Sequence, residues 1–257
     1  MSDRLTSKVI VVTGAGGGIG RATVQRTLEE GASVAAVDLA GEGLDATMAA
    51  VSSFGDRVIA IPADVTQEAQ VKGYLDKAAG TFGGIDGVFN NAGIEGEVKS
   101  FEEYPLEMFE KVLAVNTVGV FLGIKHAVGH LRQRGGGAIV NTASTAGLGG
   151  NPNLSAYVAS KHAVIGLTRS ASTGYARENI RINAICPAPI ETRMMRSLEQ
   201  GMSNDPDAVK RQFEQRIPAQ RYGEPEEVAA LVTFLLSDEA SFTFGASYTI
   251  DGGMTPF

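Results

Sequence analysis

Short apolar runs rich in valine, isoleucine and alanine recur along the chain, and longer segments with apolar positions at helical spacing separate them. Residues 8–12, 33–37, 57–62, 87–89, 138–143, 180–186 and 247–250 read as strands. Helices are expected over 21–30, 43–54, 66–82, 105–133, 153–177 and 225–236, with Gly31 stopping the first, Thr66 capping the third and Pro105 starting the fourth. Strands that alternate with helices in this way have one economical solution, an α/β doubly wound parallel sheet of about seven strands flanked by helices. A chain of 257 residues forms it as a single domain spanning 1–257. Residues 1–7 read as a short polar lead. Residues 188–220, polar and methionine-bearing, are expected to be a long connection at the sheet edge, of the kind that serves as a lid or substrate loop.

In such a sheet ligands gather at the carboxyl ends of the strands. Those ends carry the loop 14–20, Asp38, Asp64, Asn91, Ser144 and Pro187. The first strand runs directly into Thr13-Gly14-Ala15-Gly16-Gly17-Gly18-Ile19-Gly20 and then into a helix. Glycines let the backbone approach a diphosphate, and the helix start offers free N–H groups and the positive end of its dipole. Asp38 ends the second strand, where an acidic side chain accepts hydrogen bonds from an adenosine ribose; its competing use is as a cap for the next helix. A carboxylate there repels a ribose 2′-phosphate, and neither Ala15 nor Leu39 offers a positive charge, so NAD is expected in preference to NADP.

Composition narrows the partners. A net charge of −7 argues against general affinity for nucleic acid or an anionic membrane. One cysteine, Cys186, excludes an internal disulfide, and His126, His130 and His162 form no recognisable metal set with it. No apolar run approaches the length that spans a bilayer, and a cytoplasmic protein is the default expectation. The 32 glycines fall mainly between apolar runs, where turns and close backbone approaches belong.

The candidate chemistry lies between Ser144 and Lys161. Tyr157 and Lys161 are four apart and share a helix face, while Ser144 follows the strand 138–143. A phenol has a pKa of about 10, and lowering it by about 3 requires roughly 4 kcal/mol. An ammonium about 4 Å away supplies that much at an effective dielectric near 20. Alone, the spacing is equally that of an ordinary helix face. Asn116 falls inside a predicted helix, where asparagine has poor propensity. Either it ties two core strands together or it disturbs the helix to hold a water, and the residues alone favour the structural use.

Taken in order, Thr13-Gly-x-x-x-Gly18-x-Gly20, Asn90-Asn91-Ala92-Gly93, Asn116, Ser144, Tyr157-x-x-x-Lys161, Pro187 with Ile190 and Thr192, and Asp251-Gly252-Gly253 resemble the short-chain dehydrogenase/reductase family over essentially the whole chain. Asn91-Ala92-Gly93-Ile94-Glu95-Gly96 and Arg221-Tyr222-Gly223-Glu224-Pro225 look most like its NAD-dependent members that act on cyclic ketones and diketones. The resemblance implies a Rossmann-type fold and interconversion of a secondary alcohol and a ketone. It implies Tyr157 as general acid/base, Lys161 lowering the Tyr157 pKa and holding the nicotinamide ribose, Ser144 bonding the reacting oxygen, and Asn116 holding a water that relays protons to Lys161. Gly14, Gly16, Gly18, Ile19 and Gly20 are implied around the diphosphate, Asp64, Val65, Asn91, Ala92 and Gly93 on the adenosine side, and Pro187, Ile190 and Thr192 at the nicotinamide. A homotetramer is also implied. Ala188 departs from the family's usual glycine after the proline, which bears on cofactor affinity.

Substrate contacts are less defined. Glu95 is either a contact for a substrate hydroxyl or carbonyl or a solvated loop charge, and Met194 and Met195 either line an apolar pocket or pack ordinarily. Leu148 and Asn153 complete the candidate pocket. Two other functions compete: a 3-oxoacyl thioester reductase, which Asp38 and the acidic charge disfavour, and a non-catalytic nucleotide-sensing protein, which the presence of Ser144, Tyr157 and Lys161 disfavours.

Overall fold

The computed structural model describes residues 3–255. The apolar runs become β1 (Val9–Thr13), β2 (Ser33–Asp38), β3 (Val58–Pro62), β4 (Gly87–Asn90), β5 (Gly137–Thr142), β6 (Ile180–Pro187) and β7 (Ser247–Ile250). All pair in parallel, in the order β3-β2-β1-β4-β5-β6-β7. The order reverses direction between β1 and β4, and there the strand ends open a crevice. β1, β4 and β6 are buried along their whole length, as strands covered on both faces must be.

One face is covered by α1 (Gly18–Glu29), α2 (Glu42–Ala50) and α9 (Pro225–Leu236), which pack Val24, Leu28, Leu44, Val228 and Val232 against the sheet. The other is covered by α3 (Glu68–Phe82), α5 (Gly119–Gln133) and α6 (Ser155–Tyr175), through Val71, Leu75, Ala127, Leu131 and Val164. α4 (Leu106–Leu113) leads into α5 through a π-turn at Ala114–Val118. Inside the sheet, Asn90 Nδ2 donates to Asn141 Oδ1 at 2.9 Å, and Asn141 Nδ2 donates to Thr168 Oγ1 at 2.9 Å. This buried polar ladder fixes β4, β5 and α6 relative to one another.

Four expectations need correction. Residues 188–220 are not an open loop but fold into α7 (Arg193–Met202) and α8 (Pro206–Arg216), capped by Thr192 and Asp205. Thr66 does not cap α3, whose cap position is Gln67; Thr66 instead donates its N–H and hydroxyl to Asp64 Oδ1, both at 2.8 Å. The polar lead is anchored: Leu5 is fully buried and Arg4 pairs with Glu30, while residues 1 and 2 lie outside the described residues. Finally, the continuous helical rod from Leu106 to Gln133 is long and apolar enough by length and composition to cross a membrane, contrary to the reading of the sequence. Half of it is buried against the rest of the fold, with Asn116 fully enclosed, which is how a core helix is used.

Candidate active site

The glycine loop is shaped by close backbone approaches. Gly14 has φ +65, in the left-handed region. A Cβ on Gly20 would lie 2.0 Å from the Gly14 carbonyl oxygen, so the turn closes only around glycine. α1 begins at Gly18 behind Gly17, which supplies no side-chain cap, and its first turn carries no acidic residue. The N–H groups of Gly18, Ile19 and Gly20 therefore have no intrahelical partner and face the positive end of the helix dipole, a setting for an anionic diphosphate.

Asp38 is turned toward that loop. Its Oδ2 accepts from Gly16 N at 2.7 Å and its Oδ1 from Leu39 N at 2.7 Å. The helix-cap alternative fails, because α2 starts behind Gly41. Asn91 Nδ2 donates to the carbonyls of Thr13 and Gly14 at 3.2 and 3.3 Å, and the N–H groups of Asn91 and Ala92 both reach Thr13 Oγ1. Asp64 closes its turn through Thr66, and Val65 packs where a Cβ on Gly119 would come within 3.0 Å of it.

The proton-handling groups converge at the ends of β5 and β6. Ser144 starts the short turn Thr145–Gly147, its Oγ accepting from Ala146 N at 3.1 Å and donating to the Pro187 carbonyl at 3.5 Å. Tyr157 and Lys161 occupy successive turns of α6, with Lys161 Nζ 5.4 Å from the Tyr157 ring centroid. The ammonium donates to the Thr142 carbonyl at 2.8 Å. Loss of hydration dominates both groups. It pushes the Tyr157 phenol up to about 12, against a lowering by its hydrogen bond to Ser144 and with a further rise from the Glu95 charge. The same burial pulls Lys161 down to about 8. Burial thus outweighs the hydrogen bond from Ser144 and holds the phenol above its ordinary value.

Asn116 does not tie two core strands together. Its Oδ1 accepts from Ile94 N at 2.8 Å, and its Nδ2 donates to the Ile94 carbonyl at 2.9 Å and to Ser160 Oγ at 3.0 Å. It ties the loop after β4 to α6 rather than one strand to another. Its helix is indeed disturbed, by the π-turn that contains it. A Cβ on Gly93 would lie 3.2 Å from Asn116 Oδ1 and 3.6 Å from Lys161 Nζ, so the loop lies close against both side chains.

On the nicotinamide side, Ile190 bridges Gly223, and Thr192 caps α7 while donating to the Ile190 carbonyl at 3.2 Å. Glu95 is half-buried and acts electrostatically on Tyr157. Leu148 packs against the core, and the exposed Asn153 uses its carbonyl to hold Lys99 N at 3.0 Å. Met194 and Met195 are half-buried on α7. Thr142 and Ser160 were not singled out from the sequence. Thr142 supplies the carbonyl that seats Lys161 and donates its hydroxyl to Asn91 Oδ1 at 3.2 Å, while Ser160 donates to the Tyr157 carbonyl at 2.7 Å. Their only signal was adjacency, two residues before Ser144 and one before Lys161.

Comparison with known proteins gives a consistent picture. A family model described as enoyl-(acyl carrier protein) reductase matches residues 14–255. Levodione reductase of Leifsonia aquatica is 45% identical over 255 residues, covering 98% of this chain and 96% of its own. A crystal structure of levodione reductase superposes with a TM-score of 0.95 at 44% identity, over 97% of this chain and 98% of the other. Cyclohexanol dehydrogenase of Acinetobacter sp. is 41% identical over 255 residues, 99% of this chain and 98% of its own. NAD+-bound xylitol dehydrogenase has a TM-score of 0.92 at 39% identity, over 97% of this chain and all of the other.

Proposed function

The chain belongs to the short-chain dehydrogenase/reductase family and is an oxidoreductase of CH–OH groups, and from that premise we propose that it interconverts a secondary alcohol and a cyclic ketone or diketone with NAD(H). The observation that carries this reading is the convergence of the Ser144 hydroxyl, the Tyr157 phenol and the Lys161 ammonium beside a glycine-lined cradle with a carboxylate at its adenosine end. The uncapped start of α1, the close turn at Gly14 and Gly20 and the placement of Asp38 all fit a dinucleotide without a 2′-phosphate. The names of levodione reductase and cyclohexanol dehydrogenase support a cyclic substrate.

When bound, the nicotinamide supplies the carbon that gives or takes hydride. The protein's own residues handle the rest. Tyr157 gives its phenolic proton to the carbonyl oxygen in reduction and accepts it back in oxidation. Ser144 holds the same oxygen and stabilises the charge that develops on it. Lys161, seated on Thr142, keeps a positive charge beside the Tyr157 ring, and Asn116 fixes the loop that lies against Lys161. Glu95, Leu148, Asn153, Met194 and Met195 would border the substrate.

The same reading takes the protein as a cytoplasmic homotetramer. Half-exposed Val118 and Phe121 on one helical rod, and β7 as an edge strand with one open side, support assembly. The reading is tested with a panel of cyclic ketones, diketones, sterols and acyl thioesters, assayed separately with NADH and NADPH. Turnover of cyclic ketones with NADH, lost in Tyr157→Phe while NADH still binds, is the expected result. Near-normal turnover in that variant, or activity confined to acyl thioesters with NADPH, overturns it.

A further inference from the structure

The segment Pro187–Thr192 is held by a ring of side chains that no step above uses. Main chain closes one side: Glu191 N donates to the Gly223 carbonyl at 2.9 Å, Gly223 N donates to the Pro189 carbonyl at 3.0 Å, and Ile190 bridges Gly223. Side chains close the other. Arg196 on α7 donates Nη2 to Glu191 Oε2 at 2.9 Å and Nη1 to Glu199 Oε2 at 2.8 Å. Glu199, fully buried, accepts at Oε1 from the Tyr222 hydroxyl at 2.8 Å. Tyr222 adjoins Gly223, which completes the circuit. Lys210 on α8 joins it by pairing with Glu191 and lying 5.2 Å from the Tyr222 ring centroid, and Phe213 meets that ring edge-on.

A fully buried carboxylate is costly to desolvate and adds little stability over an apolar side chain of the same size. What it adds is geometry, since each of its oxygens has one partner in one direction. That geometry is transmitted to both ends of the site. Thr192, next to Glu191, leans on the glycine loop, where a Cβ on Gly18 would meet its Cγ2 at 3.0 Å. At the far end of α7, a Cβ on Gly201 would meet Val98 Cγ2 at 3.1 Å, in the loop that carries Glu95.

Resting on the dinucleotide reading given above, we infer that Glu191 and Glu199 are positioning residues for hydride transfer: through Arg196 and Tyr222 they lock the α7–α8 cover onto the segment 189–192. The locked segment holds its main chain and Thr192 in place for the nicotinamide, and α7 carries that placement to the substrate loop.

Glu199→Gln keeps shape and an acceptor for Tyr222 but removes the charge that Arg196 bridges, and Tyr222→Phe removes the other bond. Both are compared with the wild-type full chain by NADH fluorescence titration, by steady-state kinetics and by the kinetic isotope effect with NADH deuterated at the transferred position. Circular dichroism and thermal melting follow folding. The expected result is NADH affinity weakened roughly tenfold and a larger isotope effect on kcat, as a misplaced segment slows the hydride step. Folded variants with unchanged NADH affinity and isotope effect overturn the inference, whatever happens to their melting temperature. If Glu199→Gln does not fold, Tyr222→Phe and Arg196→Lys decide by the same readouts. A wild-type protein that binds neither NADH nor NADPH overturns this inference together with the dinucleotide reading, whereas active wild type with unchanged variants overturns this inference alone.

Discussion

Lys161→Met is expected to abolish turnover and yet to stabilise the ligand-free protein at neutral pH. The lysine is 3% exposed, and its burial lowers its pKa from 10.5 to about 8. That fall measures how far folding disfavours the charged form, and it corresponds to about 3 kcal/mol. Methionine has a similar unbranched reach without the charge. Against the gain stands the lost 2.8 Å bond to the Thr142 carbonyl, worth about 1 kcal/mol, which leaves a net stabilisation of about 2 kcal/mol. The pH dependence is an independent check. The folded protein releases the lysine proton as pH rises through about 8, whereas the unfolded chain keeps it until 10.5. Between those values the unfolded state binds more protons, so the wild type gains stability with rising pH, by about 1.4 kcal/mol between pH 7 and about pH 9, a gain the variant lacks. Urea unfolding of both ligand-free proteins at the two pH values measures each quantity. A variant less stable than wild type at pH 7, or a wild type that gains no stability relative to the variant between pH 7 and pH 9, refutes the reasoning.

Asp38→Ala is expected to raise NADPH use relative to NADH by about tenfold or more, since it removes a charge facing the 2′ position. It also removes the acceptor that holds Gly16 N, so Asp38→Asn, which retains an acceptor, separates charge from loop support; equal kcat/KM ratios in all three proteins count against the assignment. Gly123→Ala is expected to cost about 1–3 kcal/mol despite alanine's better helix propensity, because its Cβ would lie 2.2 Å from Asn90 Oδ1, a side chain locked to Asn141. An unfolding midpoint equal to wild type contradicts that. Ketone reduction is expected to fall as pH rises through about 8, where Lys161 loses its charge, and Lys161→Arg should move the fall to higher pH. A wild-type profile that stays flat from pH 7 up to about pH 9 speaks against a role for that charge.

Most of the fold was legible because its signals are local and redundant. Continuous apolar runs between glycine-rich turns located all seven strands, with ends displaced by at most one residue. The cofactor cradle was legible for the same reason: the constraint at Gly20 comes from the Gly14 backbone only a few residues away. Residues 188–220 were misread although α7 carries Met194, Leu198 and Met202 at helical spacing, because Pro187, Pro189 and the many polar residues around that stripe made the whole stretch read as a connection. What fixes α7 and α8 in position is a set of ion pairs among Glu191, Arg196, Glu199 and Lys210, whose partners are up to 19 residues apart and have no period. Asn116 was recognised as out of place in a helix, but its partner Ile94 lies 22 residues away and Ser160 lies 44 away, distances at which sequence alone names no contact.

The site's electrostatics were least legible, because burial reverses the sign that residue types suggest. Spacing placed an ammonium beside a phenol and implied a lowered phenol. In the fold the ammonium stands 5.4 Å from the ring centroid, which at an effective dielectric near 20 is worth about 3 kcal/mol. Bringing a phenol from about 12 to neutrality takes about 7 kcal/mol. Lysine alone therefore leaves Tyr157 a neutral phenol beside the Lys161 ammonium below about pH 8. That is the state from which a proton is given to a carbonyl oxygen. Taking a proton from an alcohol requires more stabilisation of the phenolate. Ser144 contributes in that direction, whereas the Glu95 carboxylate opposes it. Glu95 therefore acts on Tyr157 through its charge whether or not it touches substrate, and Glu95→Gln is expected to lower the Tyr157 pKa.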